Sequence, residues 1–143
     1  PLMGSPETLH KNDIRKFESL VTRNFPIEDS IATAIYFHQM IGPERKEARL
    51  RYLRDYWVNK CSDIPTFILN TSLTKSYSCA IANFSLDGIE PGDIATKLFT
   101  EHSVHCVSIV WENIKGVRIA PHVYTSLYDL DALVKGIHKI AGK

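Results

Sequence analysis

The sequence predicts an α+β two-layer sandwich, a small and mostly antiparallel sheet covered by helices. Three observations lead there. Residues 26–60 repeat their apolar side chains at helical spacing. After Pro65 the repeat shortens to that of strands. The strand candidates are joined in pairs by short polar turns, which favours antiparallel pairing with helices packed on one face. At 143 residues the chain has the size of one domain and is long enough to bury a core.

The elements follow in order. Residues 1–25 are polar and interrupted by Pro6, with a short helical possibility from Asp13 to Leu20, and read as a lead-in to a domain over 26–143. Pro26 opens a helix, and Glu28 and Asp29 sit favourably at the positive end of its dipole. Ile31, Ile35, His38, Met40 and Ile41 follow helical spacing before Gly42 stops the helix and Pro43 starts the next. That second helix, to about Lys60, buries Leu50, Leu53 and Trp57 and pairs Glu47 with Arg51 one turn on. Strands are expected over 66–71 and 78–86, with a polar turn at Thr74-Lys75-Ser76. A helix opened by Glu90-Pro91-Gly92 directs Ile94, Leu98 and Phe99 to the core. Residues 104–111 form a third strand, 113–116 a turn and 117–121 a fourth strand. Ser126 and Asp129 make a capping box for a last helix that buries Leu127, Leu130, Leu133, Val134, Ile137 and Ile140.

Composition removes several classes of function. A net charge of +1 offers no electrostatic ground for binding nucleic acid or an anionic membrane. In the basic-looking run from Glu44 to Asp55 the acids alternate with the bases, as on a solvated helix face. No apolar run is long enough to span a bilayer. Cys61, Cys79 and Cys106 are odd in number and lack metal-ligand spacing, so reduced thiols and a cytoplasmic location are expected. His102 and His105 lack a second ligand pair, and neither a phosphate loop nor a nucleophile elbow is present.

One motif carries chemistry. In Gly116-Val-Arg-Ile-Ala-Pro-His-Val-Tyr-Thr, Arg118 alternates with apolar Val117 and Ile119, and the chain then turns a polar corner into the last helix. Arginine offers a planar fork of donors that grips a carboxylate with two hydrogen bonds. A strand arginine can equally lie over its neighbours with its head in water. His122 and Tyr124 on the corner suit a backbone hydrogen bond and an aromatic lid as well as they suit contact with a substrate.

The strand, corner and helix together resemble the C-terminal end of class V aminotransferases, pyridoxal-phosphate enzymes of the aspartate-aminotransferase fold, and among them the isopenicillin-N-epimerase-like proteins. Glu18-Ser-Leu-Val-Thr-Arg-Asn-Phe-Pro26 resembles a second family segment, in which a Gly-Thr pair reaches the cofactor phosphate of the neighbouring subunit; Val21 stands where glycine is usual. The resemblance implies that residues 1–25 end a large domain and 26–143 form the C-terminal small domain of a homodimeric enzyme. It implies that Arg118, with His122 and Tyr124, binds an amino-acid substrate, and that Thr22 and Arg23 bind the cofactor. The family's Schiff-base lysine has no counterpart: Lys11, Lys16 and Lys46 lie in polar contexts unlike its own.

The start, Pro1-Leu-Met-Gly-Ser-Pro, is unlike an initiator sequence, so a piece of a longer enzyme is expected. That enzyme would use pyridoxal phosphate for transamination, epimerisation or a related carbanion reaction on an amino acid. The piece alone is expected to be inactive and to hold no cofactor. The rival expectation is a stand-alone, non-catalytic α+β binding or interaction module. A nucleic-acid-binding module is a distant third.

Overall fold

The computed structural model describes residues 25–142, which fall into two compact units, one up to Met40 and the other from Ile41 onward. The first unit holds nearly all of α1 (Phe25–Ile41), which has Pro26 in its opening turn and Glu28 as its first acid. Its predicted apolar positions Ile31, Ile35 and Met40 are exposed.

The second unit begins with α2 (Pro43–Cys61), capped by Gly42 at φ 87° with Pro43 in its first turn. Leu53, Trp57, Val58 and Cys61 form its buried stripe, and Leu50 is half-buried beside it. Arg54 is also buried. Its guanidinium meets the Asp55 carboxylate at 2.7 Å and the Ser78 hydroxyl at 2.7 Å, so the charge enters the interior with partners. Arg51 bonds Glu47 at 2.8 Å and the carbonyls of Ser78 and Lys75. Two helix arginines therefore hold the loop before β2 against α2.

The remaining elements are β1 (Phe67–Leu69), β2 (Ala82–Leu86), α3 (Pro91–His102), β3 (Val107–Trp111), β4 (Ile114–Ile119) and α4 (Leu127–Ile140). The strands form one antiparallel sheet in the order β1-β2-β4-β3. The two-layer α+β sandwich is thus present. Ala82, Phe84, Leu86, Val117 and Ile119 turn inward to meet Leu53, Trp57, Ile94, Leu98, Leu133 and Ile137. At the centre Trp57 meets Phe84 edge-on, with 5.7 Å between ring centroids, and Phe67 stacks on Phe84 at 5.5 Å. The capping box forms as predicted: Asp129 N–H donates to Ser126 Oγ at 3.2 Å, and Ser126 N–H to Asp129 Oδ2 at 2.9 Å.

Element order matches expectation, but several boundaries move for reasons set by distant residues. The β1 ladder stops at Leu69, and the Thr71 hydroxyl accepts the Asn83 N–H at 2.8 Å where a strand carbonyl would have stood. β2 starts at Ala82 because Ser78 is engaged by Arg51 and Arg54. β3 starts at Val107: Ser103 takes φ 56° and Val104 N–H returns to Leu98 O at 3.0 Å, closing α3. The hairpin turn lies at Glu112-Asn113, with Glu112 at φ 47°, not over 113–116, so β4 begins at Ile114 and contains Gly116. Phe99 does not face the core; it is 59% exposed and lies edge-on to His105.

Burial raises the Cys61 thiol from 9.0 to about 12, with Asp63 adding to the shift. The folded state therefore favours the neutral thiol, whereas the unfolded chain ionises near the ordinary value. This contribution is complete below about pH 9 and is lost as pH climbs towards 12. Urea midpoints at about pH 8 and pH 10.5 should fall further for the natural chain than for Cys61→Ala. Equal falls would show that Cys61 ionisation is not linked to folding.

Candidate functional site

β4 has a buried face and an open one. Val117 and Ile119 are buried, while Arg118 between them is exposed on the opposite side of the sheet. Register fixes its neighbours. Asn83 of β2 stands directly opposite Arg118 on one side, and Val107 of β3 on the other. Residues opposite one another share a face with their Cβ atoms about 5 Å apart. Among the described residues Arg118 makes no hydrogen bond or ion pair. Val107, Ile109 and Trp111 of β3 share this open face, with Val107 beside Arg118.

Gly116 lies two residues before Arg118 on the same face. A Cβ there would come within 2.1 Å of Asn83 Oδ1, 2.6 Å of the Phe84 carbonyl oxygen and 2.9 Å of Asn70 Nδ2. The missing side chain leaves a notch that the Asn83 carbonyl oxygen fills. Asn70 Nδ2 donates into the same notch, to Asn83 Oδ1 at 2.8 Å, to Lys115 O at 3.1 Å and to Ser85 Oγ at 3.2 Å.

The corner after β4 is closed by reciprocal bonds. His122 N–H donates to Thr125 Oγ1 and Thr125 N–H to His122 O, each at 2.9 Å. Arg49 of α2 donates to Thr125 O at 3.0 Å. The His122 and Tyr124 rings lie 4.2 Å apart at 33°, and Tyr124 is 80% exposed. Both residues stand on the corner that follows β4, four and six residues beyond Arg118. Thr22, Arg23, Val21, Lys11 and Lys16 lie outside the described residues.

A second concavity, a cleft of about 550 Å³, opens between the end of α3, the end of β4 and the start of α4. Ile119, His102, His105, Thr125 and Tyr128 line it. It takes the inward residue Ile119 and not Arg118, so it belongs to the helical side of the sheet. Among the described residues no group of three or more His, Cys, Asp or Glu is placed to hold a metal ion. No described helix is long and apolar enough to cross a membrane.

The described lysines do not fit a pyridoxal-phosphate site. An imine-forming lysine must be readily deprotonated. Lys60 is held by Asp131 and Tyr56, whose hydrogen bonds push its pKa above the ordinary ammonium value. Lys139 pairs with Glu101 at 2.8 Å, and Lys75 lies 3.6 Å from Glu47. Lys97, Lys115 and Lys135 are exposed, and Lys46 is half-buried on α2. The open-face strand positions around Arg118 carry no acid to partner a pyridinium nitrogen. No catalytic step is assigned to these residues.

No protein-family model matches the chain, and no curated protein matches it. Solved structures do. An alanine–glyoxylate aminotransferase from Nostoc sp. is similar over 76% of this chain and 29% of its own, with 18% identity and a TM-score of 0.62. A cysteine desulfurase from Thermococcus onnurineus is similar over 89% of this chain and 34% of its own, at 19% identity and TM-score 0.76. The protein C-DES, solved with glycine covalently linked to its pyridoxal-phosphate cofactor, is similar over 85% of this chain and 31% of its own, at 16% identity and TM-score 0.70. The shared property is the fold, that of the C-terminal domain of aspartate-aminotransferase-like proteins. The chain spans about a third of the length of these structures.

Asn70, Asn83 and Gly116 were not foreseen as parts of the site. The alternation Ala82-Asn-Phe-Ser-Leu86 was a usable signal, because it sets Asn83 and Ser85 on the outer face of a strand.

Proposed function

We propose that this chain serves as the carboxylate-binding small domain of a pyridoxal-phosphate-dependent enzyme of the class V aminotransferase type, acting on an amino acid. The observation that carries the reading is Arg118, exposed near the C-terminal end of the inner strand β4 and without a hydrogen-bond or ion-pair partner among the described residues. A fork of donors held on a strand, with an apolar neighbour in Val107, suits a carboxylate better than it suits bulk water. His122 and Tyr124 would border the substrate from the corner. Thr22 and Arg23 would reach the cofactor phosphate across a homodimer. Transamination or epimerisation, the latter as in isopenicillin-N-epimerase-like proteins, would draw its lysine and its pyridinium partner from residues other than those described. The chain's own part is to grip and orient the carboxylate.

The test is a heteronuclear NMR titration that follows the Arg118 Nε–Hε signal. Sodium pyruvate and L-alanine should move it saturably, whereas ethylammonium chloride, which lacks a carboxylate, should not. A signal indifferent to all three would overturn the reading.

A second reading is a binding module that keeps the fold without the chemistry, and the lysine misfit is compatible with both. The two part on the coding sequence upstream of Pro1. The enzyme reading requires a cofactor lysine there; the module reading requires none.

A further inference from the structure

The hydrogen bonds in the Gly116 notch fix which way two side-chain amides face. A backbone carbonyl only accepts, so the Asn70 atom 3.1 Å from Lys115 O must be its NH2 group. That same nitrogen lies 2.8 Å from one end of the Asn83 amide, which must then be the oxygen. The Asn83 oxygen is thereby committed to the notch over Gly116. The Asn83 NH2 is left as the outward end. It has no hydrogen-bond partner among the described residues, yet it is not a buried orphan. Gly116 and Arg118 are successive positions on one face of β4, and Asn83 stands directly opposite Arg118. An amide whose oxygen leans back to Gly116 holds its NH2 on the Arg118 side or outward from the sheet.

From this geometry we infer that Asn83 is a second carboxylate donor, which adds its NH2 to the Arg118 fork, and that Asn70 and Gly116 position it. The inference rests on the carboxylate reading of Arg118 and deepens it. Arg118 alone would take an anion from any side. With Val107 on one flank and Asn83 on the other, the donors are one-sided. A planar carboxylate places one oxygen between guanidinium and amide and the other on the guanidinium alone. A halide must draw both donor groups to a single point, whereas a carboxylate spreads them over two oxygens, so the pair favours carboxylates over halides. Gly116 matters because any Cβ there would displace the Asn83 oxygen and its clamp. Asn70 matters because without it the amide is free to flip and offer its oxygen to the anion.

The experiment uses sodium acetate as the probe and sodium chloride at equal ionic strength as the control. The Asn83 side-chain NH2 and the Arg118 Nε–Hε signals are followed in the same titration. Both should move with one saturation curve in acetate and should need distinctly more chloride to move as far. Asn83→Ala should weaken acetate binding roughly tenfold, the loss of one hydrogen bond to a charged group. Asn83→Asp, which sets a carboxylate beside Arg118, should abolish it while leaving the far-UV spectrum unchanged. Asn70→Ala should weaken binding although Asn83 itself is kept, because its amide loses the bond that orients it. If Arg118 saturates with acetate while the Asn83 amide does not respond, or if Asn83→Ala binds acetate as the natural chain does, the inference about Asn83 is wrong and the arginine reading survives. If neither signal responds, the arginine reading fails and takes this one with it.

Discussion

Trp57→Ala is expected to remove a large share of this chain's stability and to lower its urea midpoint strongly. Trp57 is fully buried on α2, at the point where the helical layer meets the sheet through Phe84 and Phe67. Truncating a buried tryptophan removes its transfer free energy and leaves a cavity, about 3–5 kcal/mol together. Domains of this size hold about 5–15 kcal/mol in all. Trp57→Phe should cost much less. The indole N–H is buried without a hydrogen-bond partner among the described residues, so the natural side chain already carries a desolvation penalty that phenylalanine lacks. Urea unfolding followed by far-UV circular dichroism checks both. A midpoint for Trp57→Ala within experimental error of the natural chain would show that the aromatic cluster is not the keystone of the core. Emission offers a second readout, because the only other tryptophan, Trp111, is 69% exposed. Loss of Trp57 should leave a red-shifted spectrum.

The fold was legible where local pattern and tertiary packing agree. Helical spacing located α2 and α4, and the Ser126–Asp129 cap was readable from two side chains three residues apart. Strand ends were not legible, because partners remote in sequence set them. Ser78 looked like strand until Arg51 and Arg54, a helix away, took its carbonyl and hydroxyl. Gly116 reads locally as a turn residue. The hairpin turns at Glu112-Asn113 instead, and the glycine is needed in the strand for Asn83, 33 positions earlier in the chain. Phe99 fits the helical period of Ile94 and Leu98 but is exposed, with its ring edge-on to His105.

The site was half legible. That Arg118 leaves the core follows from alternation with Val117 and Ile119 alone. That Asn83 stands beside it follows only from register. A slip of one residue would have put Ala82 or Phe84 there instead. The sequence also made His122 and Tyr124 candidates by closeness along the chain. The folded corner ties the His122 backbone to Thr125 and sets its ring against Tyr124, contacts that closeness along the chain does not reveal.

Arg118→Ala is expected to remove carboxylate binding while leaving stability nearly unchanged, and that combination separates a binding arginine from a structural one. A guanidinium held in place by bonds to its own fold would cost stability on removal. Arg118 has no such bonds among the described residues, and its side chain is exposed, so the change in urea midpoint should be within about 0.5 kcal/mol of stability. The loss of binding should be large, because a bidentate contact to a carboxylate combines two charge-assisted hydrogen bonds, each about 1.5–3 kcal/mol. Arg118→Lys refines the test. Lysine keeps the charge but presents a compact ammonium in place of a planar fork. If attraction between charges were the whole effect, the lysine variant would bind acetate as the natural chain does, and high salt would erase binding in both. If the fork matters, the lysine variant should bind at least roughly tenfold more weakly at every salt concentration. Affinity maintained in Arg118→Ala would exclude this residue from the site, whatever the fold resembles.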